Sequence, residues 1–232
     1  MTWIELGNPT PRSVAREYRL IKWNIGEVLQ LSKPALSSHG AASFYDVLHR
    51  RRTSRTFSHM NLDEIGTFLA HVAGTQAIAC SEMGFDLELR PTPSAGAIHP
   101  IHILVRRPAS PKWWVYEPKA GQLLEISRAD EILEGLQKQV MAVIPAENAH
   151  QLLLVAEPGK SFAKYDHACS LIWRDAGALL GIMALTAEAL GLSFCPLGIT
   201  GEPWVHRLTQ ETQLAGVGMA LLGAPPADTN GG

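Results

Sequence analysis

The sequence has little that would point to export, metal binding or nucleic acid. Its three cysteines stand far apart, which argues against a disulfide framework and favours a reducing compartment. The 20 basic and 22 acidic residues nearly cancel, so no overall charge attracts nucleic acid or an anionic membrane. The histidines lack ligand spacing, and the first residues lack the basic and apolar regions of a secretory signal. We therefore expect a cytoplasmic protein with no metal site and no nucleic-acid or membrane partner.

The chain also lacks a repeating strand-helix-strand rhythm, and no G-x-G-x-x-G segment follows a first strand. A dinucleotide-binding fold of the Rossmann type is therefore not expected. With 232 residues and 46% hydrophobic content, the chain is long enough to bury one sizeable core. We predict an α+β fold, with an N-terminal arm over residues 1–40, a main domain over 41–224 and a disordered Pro/Gly-rich tail over 225–232.

Hydrophobic spacing predicts the elements within this frame. Residues 113–116 and 122–126 flank a turn at 118–121 and read as a hairpin. Helices are predicted over 13–29, 44–48, from Asn61 onward, 129–143, 169–190 and 203–208. The other strands are predicted over 101–105, 151–156 and 216–222, with connections at 75–81 and 193–201.

The longest apolar run, residues 176–192, is rich in glycine and alanine and contains Glu188. Its small residues favour a helix packed closely on all sides in a soluble core over a bilayer span.

The segment 51–57 places three arginines and three hydroxyls between two predicted helices. A guanidinium group presents a planar fork of donors that fits a phosphate, and hydroxyls can complete such a cradle. A solvated basic segment is the alternative, but the junction between helices favours a bound phosphate group.

Two further segments lack bulky side chains where a flat ligand would lie. Residues 90–100 combine three prolines with Ser94, Ala95 and Gly96, and they lead into a predicted strand. Residues 191–199 form a Cys/Pro/Gly segment that follows the long helix. Each of these segments by itself is also compatible with a plain turn or an ordinary helix end.

The three segments in this order resemble the FMN-dependent nitroreductase superfamily, specifically its SagB-type branch of thiazoline and oxazoline dehydrogenases. The resemblance covers roughly residues 43–223 and implies a central antiparallel-rich sheet flanked by helices. It also implies an intertwined homodimer that binds FMN at the shared interface.

The resemblance further implies a set of site residues. An R-R-S-x-R-x-F segment that binds the flavin phosphate and ribityl chain is matched by Arg51, Arg52, Thr53 and Arg55. A P-S-A-G segment that packs against the flavin from the partner subunit is matched by Pro93, Ser94, Ala95 and Gly96. A C-P-x-G segment near flavin N5 is matched by Cys195, Pro196, Leu197 and Gly198, and Gln139 matches a glutamine that contacts the ring system. His99 stands where a tyrosine is common in the family.

In the SagB-type branch a Lys-Tyr pair precedes the long helix, and here Lys164 and Tyr165 match it. Oxidation of an azoline ring removes a carbon-bound proton as a hydride leaves for the flavin, so a base is needed on the substrate side. A partly desolvated lysine with a neighbouring phenol is suited to that task. His167, two residues on, is an alternative base.

The resemblance therefore implies a dehydrogenase that converts a peptide-borne thiazoline or oxazoline to the azole, with oxygen reoxidising the flavin. Partner proteins of a cyclodehydratase or synthetase complex are expected. Two other functions remain open at this point. One is an NAD(P)H-dependent nitro- or quinone-type reductase, and the other is a non-catalytic subunit of a synthetase complex.

Overall fold

The structure, a computed structural model, describes residues 4–32, 42–211 and 213–226. The helices are α1 (Phe44–Arg50), α2 (Leu62–Ala73), α3 (Ala129–Ile132), α4 (Glu134–Val143), α5 (Pro158–Lys164) and α6 (Cys169–Ala189). The strands are β1 (Thr10–Pro11), β2 (Ile25–Gln30), β3 (Ala77–Ala79), β4 (Leu87–Leu89), β5 (Ile101–Arg106), β6 (Trp113–Glu117), β7 (Gln122–Ile126), β8 (His150–Ala156), β9 (Tyr165–Asp166), β10 (Ser193–Leu197) and β11 (Ala215–Gly223).

Seven of these strands form the central sheet, in the order β10-β11-β8-β5-β6-β7-β2. Every neighbouring pair in it is antiparallel, and two short strand pairs, β1-β9 and β3-β4, lie outside it. Strand β8 is buried along its whole length, which explains its nearly continuous apolar sequence. The predicted α+β architecture with an antiparallel-rich sheet is confirmed.

Helices cover both faces of this sheet. On one face, α2 and α6 bury Phe68, Leu69 and Met183 against the alternate residues of β5, β8 and β11. On the other face, α3 and α4 bury Leu133, Leu136 and Val140. Full burial of one such side chain contributes about 1.5–3 kcal/mol.

Helix α2 begins directly after Asn61, where the sequence predicts the start of a helix. The Asn61 side chain accepts a hydrogen bond from the Glu64 N–H, and the Glu64 carboxylate accepts one from the Asn61 N–H. This capping box contributes about 1 kcal/mol and fixes the start of α2, shortly after the arginine segment.

Helix α6 is long and apolar enough to span a membrane by length and composition, with a mean hydropathy of 1.3 over its most apolar window. Only 28% of that window is buried inside the chain, so the expected packing on all sides is not met within one protomer. Ile172, Ala176 and Met183 face the sheet, whereas Gly177 and Gly181 are exposed.

Several sequence-based assignments were wrong. No helix forms over residues 13–29: residues 15–24 have no regular secondary structure, and β2, which follows them, is the edge strand of the central sheet. The segment 193–201 is a strand over its first five residues, and 75–81 contains β3. The helix predicted over 129–143 is divided at Leu133, and only Val205–Arg207 is helical in 203–208, as a short 3-10 turn.

The predicted domain boundaries stay predictions. Residues 33–40 of the predicted arm and most of the predicted tail at 225–232 lie outside the described residues.

Candidate functional site

The arginine segment lies along the edge of the central sheet formed by β10. The Ser54 N–H donates to the Phe194 carbonyl oxygen over 3.1 Å, and the Ser193 hydroxyl donates to the Ser54 hydroxyl over 3.1 Å. A few residues further on, the Ser58 N–H donates to the Ala224 carbonyl oxygen over 2.8 Å, just after β11 ends. These bonds fix the backbone between α1 and α2 against the sheet.

The arginine side chains of this segment are available to an anion. Arg52 Nη1 donates to the carbonyl oxygens of His49, in α1, and of Arg51, over 2.8 and 2.9 Å. Within the described residues, no carboxylate lies within ion-pair distance of Arg51, Arg52 or Arg55. Arg52, Thr53 and Arg55 are exposed, and Arg51 is half-buried. Unpaired guanidinium groups on a fixed backbone fit the binding of a phosphate.

The Cys-Pro-Leu-Gly segment is brought next to these arginines. Cys195, Pro196 and Leu197 belong to β10, and Gly198 follows directly. Burial raises the pKa of the Cys195 thiol, and the nearby positive charge of Arg55 partly opposes that rise. The exposed Pro196 and Gly198 therefore lie at the same edge of the sheet as the arginine segment.

The Pro-Ser-Ala-Gly segment forms a tight loop before β5 that is held by Asp175 of α6. The Ser94 hydroxyl donates to Asp175 Oδ2 over 2.5 Å, and the Ala95 N–H donates to Asp175 Oδ1 over 3.1 Å. The Ser94 hydroxyl also accepts the His99 N–H over 3.0 Å. Burial raises the pKa of Asp175, while the hydrogen bond from Ser94 acts in the opposite direction.

The backbone of this loop is strained. Gly96, Ala97 and His99 have φ values of 66°, 57° and 48°, in the region that disfavours residues with a side chain. Such conformations persist only where the surroundings enforce them, and they cluster at functional sites.

Lys164 and Tyr165 meet this loop at Gly96. Lys164 ends α5 and Tyr165 begins β9. A Cβ atom at Gly96 would stand 2.9 Å from Lys164 Nζ and 2.8 Å from the Tyr165 hydroxyl, so a side chain at this position would displace the ends of both groups. The Lys164 ammonium lies 5.8 Å from the centroid of the Tyr165 ring. An ammonium group and a phenol therefore converge on the loop that also carries Pro93, which is exposed.

The structure does not place Gln139 with the other predicted residues. Its side chain is exposed on α4, on the sheet face opposite to α2 and α6. Within the described residues no hydrogen bond joins its side chain to the arginine segment or to the loop at Gly96. Its predicted contact with a flavin stays a prediction.

The predicted residues therefore form two groups at different ends of α6. Asp175, near its start, holds the loop with Gly96, Lys164 and Tyr165. Glu188, near its end, lies 3.7 Å from Arg50 Nε, directly before the arginine segment. Thirteen residues of helix separate these two positions, which is about 20 Å at 1.5 Å per residue.

Sequence reasoning missed Asp175 and a cluster of buried charges behind the loop. That cluster contains Glu88, Arg90, His102, Glu157 and Lys160. The sequence spreads these residues over 73 positions, and only the proximity of β4, β5 and α5 in space brings them together. A lysine three positions after a glutamate, at Glu157 and Lys160, is too common a pattern to have indicated the cluster.

No family model and no curated protein matches the chain by sequence. Solved structures do match: 62 chains are similar in fold. A protein described as a nitroreductase from Ralstonia eutropha JMP134 is 18% identical, with a TM-score of 0.61 over 92% of this chain and 98% of that chain. A chain of the E. coli microcin synthetase McbBCD complex, with truncated pro-MccB17 bound, is 17% identical, with a TM-score of 0.58 over 84% and 77%.

A protein described as a nitroreductase in complex with FMN, from Desulfovibrio desulfuricans, is 16% identical, with a TM-score of 0.50 over 83% of this chain and 92% of that chain. At these identities the likeness concerns the fold. The chain has the fold of nitroreductase-like proteins.

Proposed function

We propose that this protein is an FMN-dependent oxidoreductase that dehydrogenates a thiazoline or oxazoline ring within a peptide to the aromatic azole. The observation that carries the proposal is the convergence of Lys164 and Tyr165 on Gly96. A base and a phenol at the loop expected to face the flavin suit a reaction that removes a proton from a ring carbon.

The chain's residues fit FMN. Unpaired guanidinium groups of Arg51, Arg52 and Arg55 match the charge of the terminal phosphate, and Thr53 offers a hydroxyl beside them. The absence of a side chain at Gly96 leaves a flat surface for a ring system. When bound, the flavin takes up the hydride that the azoline loses.

In this proposal Lys164 Nζ accepts a proton from one ring carbon while the neighbouring ring carbon loses a hydride, which leaves the azole with one carbon–carbon double bond more than the substrate. Tyr165 orients the substrate through its hydroxyl. Asp175 accepts hydrogen bonds from the loop, and the loop backbone is fixed in a strained conformation. The loop therefore keeps Lys164 and Tyr165 in place.

We also propose that two protomers complete the site. Within one chain the arginine segment and the loop at Gly96 lie about 20 Å apart along α6. An antiparallel pairing of two α6 helices about a two-fold axis would bring the loop of one protomer to the arginines of the other. The exposed side of α6, with Trp173, Gly177 and Gly181, has the small and apolar residues that close helix packing needs.

The fold of one chain of the McbBCD synthetase complex supports a further step, namely that this protein works on a peptide delivered by a cyclodehydratase-type partner. The second candidate function is an NAD(P)H-dependent nitro- or quinone-type reductase. It is favoured by the fold shared with proteins described as nitroreductases, and it needs the flavin site without the Lys-Tyr pair.

The first experiment is the visible spectrum of the purified protein, followed by mass analysis of the released cofactor. We expect a yellow protein that releases FMN. A colourless protein that gains no FMN on reconstitution would contradict both enzymatic functions and favour a non-catalytic subunit.

The second experiment separates the two enzymatic functions. A synthetic peptide with one thiazoline is incubated with the protein in air, and the loss of two mass units is followed, in parallel with anaerobic flavin bleaching by NADPH. We expect azole formation that falls about 10²–10⁴-fold in Lys164→Met, with the flavin retained. Rapid bleaching by NADPH that survives this substitution, without azole formation, would favour the reductase.

A further inference from the structure

A second cavity lies away from the loop at Gly96, between the N-terminal arm and the sheet. Its volume is about 270 Å³, and Ile21, Trp23 and Phe85 form an apolar wall. Leu20, Asp86 and Lys119, which also line it, are exposed, so solvent reaches its rim. The cavity is large enough for a small organic molecule.

The carboxylates that line this cavity already have partners. Glu88 accepts from Arg90 over 2.9 Å, and Glu157 accepts from His102 Nε2 over 2.9 Å and from the Ile21 N–H over 2.6 Å. At the rim, Asp86 is paired with Lys119 over 3.0 Å. Glu117, the fourth, accepts from the N–H groups of Lys119 and Ala120.

Among the described residues that line the cavity, Lys160 is a cation that forms no ion pair with a carboxylate. Its side chain comes from α5 and the residue is 7% exposed. Its ammonium donates to the His99 carbonyl oxygen over 2.9 Å and lies 5.3 Å from the centroid of the Phe85 ring. Among the described residues, no carboxylate oxygen lies within 4.0 Å of it.

A buried ammonium with one hydrogen-bond acceptor is unfavourable unless another group compensates its charge. Burial accordingly lowers the pKa of Lys160 to about 8; the positive charge of Arg90 adds to the effect, and the negative charges of Glu157 and Glu88 oppose it from beyond ion-pair distance. An ammonium has three N–H donors, and this one has one acceptor beside an apolar wall, so it offers a charge-assisted hydrogen bond to an anion with an apolar body.

We propose that this cavity binds a small organic acid, whose carboxylate pairs with Lys160 Nζ and whose apolar body packs against Trp23 and Phe85. This binding site is separate from the proposed flavin site. The loop 94–99 lies between them, since Lys160 contacts it at His99 and Lys164 contacts it at Gly96.

The test uses benzoate as the probe and benzamide as its uncharged isostere, with the purified full-length protein and calorimetric titration at pH 7. We expect benzoate to bind at least 10-fold more tightly than benzamide, because a charge-assisted hydrogen bond is lost in the amide. Lys160→Met should remove this preference, whereas Lys138→Met, at an exposed lysine on α4, should keep it.

A flavin site also has room for a flat acid, so the location needs its own control. Lys164→Met, next to the proposed flavin, should leave benzoate binding unchanged. Benzoate binding that is lost in Lys164→Met and kept in Lys160→Met would overturn the proposal, as would equal affinity for benzoate and benzamide or no binding of benzoate at millimolar concentration.

A pH series on the unmodified protein tests the proposal even if Lys160→Met does not fold. The preference for benzoate should decline as the pH rises from 7 to 10, because Lys160 loses its proton in this range. The neighbouring titratable groups do not change their protonation in this range: burial lowers the pKa of His99 and of His102, and burial raises that of Tyr116 to about 12. Arg90 is paired with Glu88, and Glu157 accepts a hydrogen bond from His102. A preference that is flat between pH 7 and 10 would contradict the role of Lys160.

Discussion

At the scale of single residues, Gly96 shows most directly how backbone shape and chemistry are linked. Its φ of 66° disfavours any other residue, and its missing side chain makes room for Lys164 and Tyr165. Gly121, in the turn between β6 and β7, has the same φ of 66° but nothing within 4 Å of its Cβ position. The two glycines share a φ value that would strain any other residue, and they differ in the atoms that surround the Cβ position.

This pair yields a prediction with a built-in control. Both Gly96→Ala and Gly121→Ala should lower the free energy of unfolding by about 1–2 kcal/mol, because alanine is strained at this φ. Only Gly96→Ala should reduce azoline oxidation, by at least 10-fold, because its methyl group displaces the lysine and the phenol. Denaturant unfolding and the peptide oxidation assay measure the two effects. Equal activity of the two variants would contradict the proposed role of the loop.

His150 leads to a prediction about acid stability. It is 2% exposed on β8, and burial lowers its pKa to about 4, with the charge of Arg107 contributing. A folded-state pKa below the unfolded value of about 6.5 means that this contribution to stability is complete above pH 6.5 and is lost as the pH falls towards 4. His99, with a pKa of about 4 from burial, acts in the same direction.

We therefore expect the free energy of unfolding to fall between pH 6.5 and 4, and His150→Leu to reduce this slope by up to about 1.4 kcal/mol per pH unit. Stability at pH 7 should not suffer greatly, because His150 Nδ1 has no hydrogen-bond partner within the described structure. His206→Gln, at an exposed histidine, should leave the slope unchanged. Urea unfolding at several pH values measures it, and an unchanged slope in His150→Leu would refute the assignment.

At the scale of elements, the N-terminal arm binds to the segment that carries Lys164 and Tyr165 and holds it in position. Strand β1 pairs with β9 through Pro11 and Tyr165, and the Arg12 N–H donates to the Lys164 carbonyl oxygen over 2.9 Å. The Arg12 side chain is 12% exposed and contacts the chain both before Lys164 and after Tyr165. It donates to the Phe162 carbonyl oxygen over 2.9 Å and forms an ion pair with Asp166 over 2.6 Å.

Arg12 should therefore act as a positioning residue. Arg12→Met should lower kcat for azoline oxidation about 10-fold or more while the flavin spectrum and KM change little, since a small displacement of a base is costly. Arg12→Lys should restore part of the loss by keeping the pair with Asp166. Arg16→Met is the matched control, because only the backbone N–H of Arg16 contacts α5 and its side chain is exposed. A loss of kcat of the same size in Arg16→Met would show that the effect is not specific to Arg12.

The same arm shows what the sequence could not reveal. A helix over 13–29 was predicted because apolar residues such as Val14, Tyr18 and Ile21 recur at helical spacing. The N–H groups of Arg12, Arg16 and Tyr18 instead donate to carbonyl oxygens more than 60 positions away, and such long-range bonds override local preference. Strand β10 was missed for another reason: Pro196 signals a loop, but β10 is an edge strand, where proline is tolerated.

The site was predictable as separate pieces. The arginine segment, the loop at Gly96 and the Lys-Tyr pair each have a recognisable local pattern, and the fold implied by them is confirmed. Asp175 lies 81 positions from Ser94, so its role as the anchor of the loop follows only from the packing of α6. The charges around Lys160 likewise come from three distant segments, and no short motif contains them.

At the scale of the whole molecule, α6 both separates the two groups of site residues and offers the surface that would reunite them. Trp173, Gly177 and Gly181 follow one another at a spacing of four, so they form one exposed stripe along the helix. On the neighbouring helix α1, Phe44, Tyr45 and Leu48 are 61%, 81% and 48% exposed. An apolar surface of this kind is typical of an interface, and in our proposal a second copy of the chain covers it.

Gly181→Arg tests this arrangement with little risk to the fold of one chain. A Cβ at Gly181 meets nothing within 4 Å, and replacing a helical glycine by arginine favours the helix by about 0.8 kcal/mol. We expect the variant to stay folded, to sediment as a monomer and to lose its flavin, because the loop of the partner is then absent. Glu147→Arg, an exposed position between α4 and β8, should remain a yellow dimer. A monomeric variant that retains FMN would place the whole flavin site within one chain and would refute the shared site.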